Sequence, residues 1–186
     1  MPPEGNTRGF TRAVARQLQP LVKRRPAVRA SLSSVRPDDR KETSVEPGKR
    51  FLEYAAAFEQ TFADDDWARL EPYFAEDAIY VVTGGAPLGG RWEGRKQLLE
   101  QLRKSVNELD RKFDERRVEP VGTPTIGENS FEMSWRGTYT KAGCPDLVFG
   151  GTERATFEGD RIRLLEDLIE DGADRRIQEC LAQYFG

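Results

Sequence analysis

RKQLLEQLRKSVNELDRKF, Arg95 to Phe113, gives way at Arg117 to strand-period sequence that continues to Glu170, and this change of period decides the fold. In the first stretch Leu98, Leu102, Val106, Leu109 and Phe113 recur at steps of four, four, three and four, which lays one apolar face along a helix. Further on, Phe131, Met133, Trp135, Gly137 and Tyr139 alternate with Glu132, Ser134, Arg136, Thr138 and Thr140, the signature of a strand with one buried and one wetter face. Cys144-Pro145-Asp146 turns the chain into a strand from Leu147 to Phe157, and Glu158-Gly159-Asp160 turns it again into a last strand from Arg161 to Glu170. Gly150-Gly151 inside the penultimate strand predicts a bulge or bend.

Upstream, Phe51, Ala55, Phe58, Phe62 and Leu70 fall at helical spacing, a short helix is expected from Trp67 to Phe74, and AIYVV, Ala78 to Val82, reads as a strand. Asp64, Asp65 and Asp66 form a helix-capping turn rather than a metal site, because consecutive residues do not all converge on one ion. TGGAPLGG, Thr83 to Gly90, reads as a glycine-rich hairpin; it lacks the GK[ST] ending of a phosphate loop. Asp174 to Phe185 closes the chain as a helix. Helices first and contiguous strands afterwards predict an α+β domain, with helices on one face of a largely antiparallel sheet.

Residues 1–50 hold 12 Lys/Arg against 5 Asp/Glu and the remainder 17 against 27, so a basic leader precedes an acidic domain within a chain of net charge −3. We expect residues 1–49, rich in Pro and Arg, to be a disordered leader and residues 50–186 to be the domain; a transit-like presequence or a start placed too early are the other readings of the leader. The acidic domain gives no support for nucleic-acid binding, and no apolar run approaches the roughly 18 residues of a membrane helix. Two cysteines without CxxC spacing, Cys144 and Cys180, point to a reducing compartment, and a cytoplasmic location is expected. The chain contains no histidine. That removes the commonest general base and metal ligand and every Ser-His-Asp arrangement, leaving carboxylates, tyrosines and water to carry any chemistry. No cofactor signal is present.

The segments FADDDWARLEPYFAEDAIYVV (Phe62–Val82), RWEGRKQLLEQL (Arg91–Leu102) and GGTERATFEGDRIRLLEDLIED (Gly150–Asp171) resemble the SnoaL-like branch of the nuclear transport factor 2-like superfamily. Its members include ketosteroid isomerases, polyketide cyclases, limonene epoxide hydrolases and scytalone dehydratase. The resemblance implies a cone-shaped, curved, mostly antiparallel sheet wrapped by the N-terminal helices around an internal pocket. It also implies small hydrophobic ligands and a homodimer formed through the outer sheet face. The isomerases' aspartate base falls at Val82, their oxyanion tyrosine at Phe58 and their second oxyanion carboxyl at Glu153, so two of those three groups are replaced. The hydrolases' last-strand aspartate falls at Asp167, while Arg136, the nearest match to their arginine, lies on the wrong strand parity.

Alternation places Glu153 with Phe149, Gly151, Ala155 and Phe157 on one inward face, and Asp167 with Leu165 and Ile169 on the next. Buried carboxyls among aromatic rings are costly unless paired, hydrogen-bonded or protonated, which makes Asp167 and Glu153 the leading candidates for catalysis, with Tyr80 beside them. The plainer alternatives are a salt bridge from Glu153 to an arginine and a loop-capping role for Asp167. Trp92, Trp135, Tyr139, Phe58 and Val82 are the expected ligand-contacting residues, with Trp92 closing the entrance. Ile162, Leu164, Glu166 and Leu168 are expected on the outer face as the dimer stripe. Two functions follow: an isomerase, cyclase or hydrolase type enzyme, or a non-catalytic binding or dimerisation module.

Overall fold

The computed structural model describes residues 46–86 and 88–186. The leader expected over residues 1–49 therefore lies almost wholly outside the described residues. Helix α1 (Pro47–Asp64) begins four residues before the apolar spacing does, with proline in its first turn, where its missing N–H costs nothing. It ends at Asp65 in the left-handed region (φ 62°). The side chain of Asp65 compensates: it accepts hydrogen bonds from Trp67 Nε1 and from Arg103 and Arg111 at 2.7–2.8 Å, so the turn is a junction between elements.

A 3₁₀ helix (Trp67–Tyr73) leads into β1 (Phe74–Val82), the glycine-rich segment turns the chain, and β2 (Gly90–Glu93) pairs back antiparallel. Helix α2 (Arg95–Glu108) stops one turn short of the sequence expectation; Asp110–Lys112 tightens into 3₁₀, and Phe113 is still buried. Strands β3 (Glu115–Ile126), β4 (Ser130–Thr140), β5 (Leu147–Glu158) and β6 (Arg161–Ile169) follow as expected, and helix α3 (Ala173–Phe185) closes the described chain.

The six strands form one open, curved sheet in the order β2-β1-β6-β5-β4-β3. Every neighbouring pair is antiparallel except β1 and β6, which run parallel. The helices pack against this sheet: α1 lays Phe51 on Phe131 of β4 in a stacked contact at 4.1 Å, and α2 seats Leu98, Leu102 and Val106 in the same core. A second, smaller core gathers Leu109, Phe113, Tyr139, Leu147, Phe149 and Ile177 beneath α3, and Leu88 and Ile169 touch both.

Two details of strand register correct the sequence reading. Gly150 and Gly151 both pair with β4 without a register shift and Gly151 begins the pairing with β6, so no extra residue is inserted there; the irregularity lies between Thr156 and Phe157. There Thr156 faces Leu164 and Phe157 faces Ile162, leaving Arg163 as one unmatched residue on β6. The insertion reverses parity, so Ile162 is fully buried in the core and not on the outer stripe. Leu164 and Leu168 remain on the outer face, with the Arg154 ion pairs to Glu132 and Glu166 between them.

Candidate functional site

Between the two cores the inner face of the sheet and α1 and α2 enclose a partly open cavity of about 160 Å³. Cross-strand register assembles its polar floor. Val82, Asp167, Glu153 and Met133 stand side by side on β1, β6, β5 and β4, and period-two alternation turns all four inward. Tyr80, 3% exposed, donates a hydrogen bond to Asp167 Oδ2 at 2.6 Å.

Both carboxyls touch the cavity and yet lie deep in protein, so desolvation governs their titration. Burial pushes Asp167 up to about 6, although the Tyr80 hydrogen bond opposes this. Glu153 is raised well above the ordinary carboxylate range, first by burial and then by the negative charge of Asp167 facing it, with Arg116 offsetting part. Neither carboxyl forms a salt bridge among the described residues, so the arginine partner considered for Glu153 is not found. Burial and the two acids hold the Tyr80 hydroxyl firmly protonated.

Of the expected ligand-contacting residues, Phe58, Val82, Trp135 and Tyr139 line the cavity. Trp92 does not: paired with Tyr80 across β1 and β2, it packs against that ring at 5.5 Å and backs the site instead of closing it. Arg136 is exposed, as its parity required.

Four residues were missed. Tyr54, 4% exposed, lines the cavity from α1, and its hydroxyl makes no hydrogen bond among the described residues; burial and the nearby Glu153 and Asp167 raise its pKa. Arg116 of β3 is held between Glu59 Oε1 at 3.1 Å and Asp110 Oδ1 at 2.8 Å, and Tyr139 donates to the same Asp110 oxygen at 3.1 Å. The Arg116 Nε–H is not aimed well at Asp110, so that contact is an ion pair and not a directed hydrogen bond. Burial raises Asp110, with Arg116 and Tyr139 opposing. Signals for these residues existed. Tyr54 and Glu59 lie on the Phe51, Ala55, Phe58 stripe of α1, and Arg116 shares strand parity with the inward Val118. Their meeting point is tertiary, and no local pattern encodes it.

The cavity thus presents a carboxyl that burial raises to about 6, a second raised well above the ordinary carboxylate range, and a phenol with no hydrogen-bond partner among the described residues. Among the described residues no group of three or more Cys, Asp or Glu side chains is arranged to hold a metal ion, and no helix is long and apolar enough to cross a membrane.

The family model for the SnoaL-like domain matches residues 54–165, a span that contains the sheet through Leu165, all of α2 and the part of α1 from Tyr54 onward. The chain belongs to the SnoaL-like domain family. Solved structures agree in fold across low identity. TerC co-crystallised with polyporic acid is 17% identical, with a TM-score of 0.55 over 70% of this chain and 98% of that one. An NTF2-like protein from Burkholderia xenovorans LB400 is 14% identical (TM-score 0.54, 72% and 98%), and an LEH-like epoxide hydrolase of M. tuberculosis is 13% identical (TM-score 0.51, 72% and 93%). No curated protein matches the sequence. SnoaL-like domains support ligand binding and, in some members, isomerase, cyclase or hydrolase chemistry; which of these applies is a property of the site and not of the fold.

Proposed function

We propose that this SnoaL-like protein binds a small, largely apolar molecule bearing an oxygen function and moves a proton on it, with Asp167 as base and Glu153, aided by Tyr54 or Tyr80, as donor. The observation that carries the reading is the Tyr80–Asp167 hydrogen bond with Glu153 directly opposite Asp167 across β5 and β6. Two adjacent carboxyls raised by burial, with Glu153 further raised by the charge of Asp167, support a pair in which one serves as ionised base and the other as neutral acid at one pH. The isomerase base position is Val82, and Asp167 is its register partner on the next strand, so the carboxyl arrives from one strand over. A non-catalytic module would be favoured by salt-bridged carboxyls and a filled interior; a cavity and two acids without salt bridges favour the enzyme.

Deuterium wash-in next to the carbonyl of cyclohexanone, followed by NMR in heavy water, tests it. Exchange should exceed that of buffer, rise with pH through about 6 and fall roughly 10²–10⁴-fold in Asp167→Asn. Equal exchange in wild type and variant would sink the reading. One observation favours a second: Glu59–Arg116–Asp110 places two carboxylates around an arginine in the same cavity, as water activation for epoxide opening requires. Diol formation from cyclohexene oxide, abolished by Asp110→Asn and untouched by Asp167→Asn, would select it. We further take the protein to be a cytoplasmic homodimer joined through Leu164, Leu168 and Val148 of the outer face. Sedimentation of Leu168→Glu as a monomer would support that interface, and an unchanged mass would remove it.

A further inference from the structure

Trp135 stands on the inward face of β4, between Met133 and Gly137, at the wall of the cavity. Its indole does not project freely. A Cβ placed on Gly137 would lie 3.4 Å from indole Cζ3, and one on Gly151 of β5 would lie 3.2 Å from Cζ2. Gly151, directly across from it, lets the indole lie close against the sheet, whereas at Gly137 the indole is at ordinary contact distance and the Tyr139 ring is the close neighbour. The edge of Phe149 meets it at 5.7 Å and 74°, and Phe149 is itself stacked on Tyr139. With the sheet behind it and Phe149 beside it, the half-buried indole is backed on two sides and presents its remaining face to the cavity.

The space this wall leaves is small. About 160 Å³ is close to the roughly 150 Å³ apolar cavity known to take up one benzene. Among the polar groups that line it, the Tyr54 hydroxyl, which makes no hydrogen bond among the described residues, and the carboxyls of Glu153 and Asp167 suit an occupant bearing an oxygen.

We propose that the ligand is a single-ring molecule carrying a carbonyl or phenolic oxygen, and that Trp135 is the specificity residue that keeps a second fused ring out of the buried space. The inference rests on the cavity being the ligand site, as proposed above, and adds a size class and the residue that enforces it. A fused bicycle would have to lift the indole off Gly151 or leave one ring outside the mouth.

The test is calorimetric titration at pH 7 with phenol and cyclohex-2-enone as single-ring probes and 2-naphthol and 1-tetralone as bicyclic ones. Wild type should bind the single-ring probes at least about tenfold more tightly, the scale expected when a tight site is overfilled. Trp135→Ala should reverse the order, and Trp135→Phe, which retains an aromatic wall and guards against a misfolded alanine variant, should narrow it. Equal binding of both classes by wild type, an unchanged ratio in the folded Trp135 variants, or no saturable binding of either single-ring probe would overturn the inference. Asp167→Asn separates the two proposals: it should abolish deuterium exchange while keeping the size preference, so loss of one result does not entail loss of the other.

Discussion

Along β5 and β6 a single inward face changes character over a few residues. At one end Phe157, Ala155, Ile162 and Leu165 are sealed among Phe51, Phe74 and Phe131; at the other, Glu153 and Asp167 line a cavity beside Tyr54 and Tyr80. Both ends lie on the same antiparallel strand pair, interrupted at the sealed end by the Arg163 register shift. What differs is the side-chain chemistry, and with it the sign of the contribution to stability. The sealed end removes apolar surface from water and holds the fold together, whereas the cavity end places two carboxyls where their ionisation is disfavoured. A strand can therefore divide its labour along its length, with one end supporting the cost of the other.

The largest effect that would break this comparison is at the sealed end. Phe131→Ala removes a fully buried ring stacked on Phe51 and should cost about 3–5 kcal/mol in urea unfolding. A cost below about 1 kcal/mol would show that the two ends are not energetically distinct.

Next comes the pH dependence at the cavity end. A carboxyl whose pKa is raised in the folded state holds more protons folded than unfolded, so stability falls as pH rises from its unfolded value towards its folded one. For Asp167 that window runs from about 4 to about 6. Relative to wild type, Asp167→Asn should gain roughly 1–3 kcal/mol across it, the neutral amide escaping the penalty. Paired unfolding curves at pH 4 and 6.5 measure this difference and cancel the contributions of other groups. A variant that loses ground with rising pH would reverse the assignment.

A smaller effect belongs to Glu153. Burial and the facing Asp167 raise the Glu153 carboxyl well above the ordinary range, so Glu153→Gln, a neutral side chain of similar shape, should change stability at pH 6 by under about 1 kcal/mol. The smallest effect lies outside. Removing the half-exposed Arg154–Glu132 pair should cost at most about 0.5 kcal/mol, and a larger loss would give the outer face a structural weight that its exposure does not suggest.

Much of this architecture is legible in the sequence because periodicity survives wherever an element is regular. The α2 stripe, the β4 alternation and the inward parity of Glu153 and Asp167 come directly from spacings of three, four and two. Reading fails where one residue is added or where partners meet across the fold. Arg163 inserts into β6 and sends Ile162 inward, which a period-two count carried through the strand misassigns. Tyr54 and Glu59 were visible on the α1 stripe, but a tyrosine on such a stripe ordinarily packs in a core, and only the cavity shows its hydroxyl free. Arg116 and Asp110 belong to different elements, so their pairing appears only after the 3₁₀ turn brings β3 beneath α2.

The parallel pairing of β1 with β6 also has a temporal meaning. Tyr80 and Asp167 are 87 residues apart, and the strands that carry them join the first part of the sheet to the last. The antiparallel ladder of β3 to β6 closes through short connections, while the β1–β6 seam must close a long loop and so carries the higher entropic cost of formation. In pulse-labelled refolding the amides of that seam should gain protection last. The Tyr80–Asp167 hydrogen bond would then be assembled at the closing step of folding, so that a molecule in which it has formed is also one whose sheet is complete.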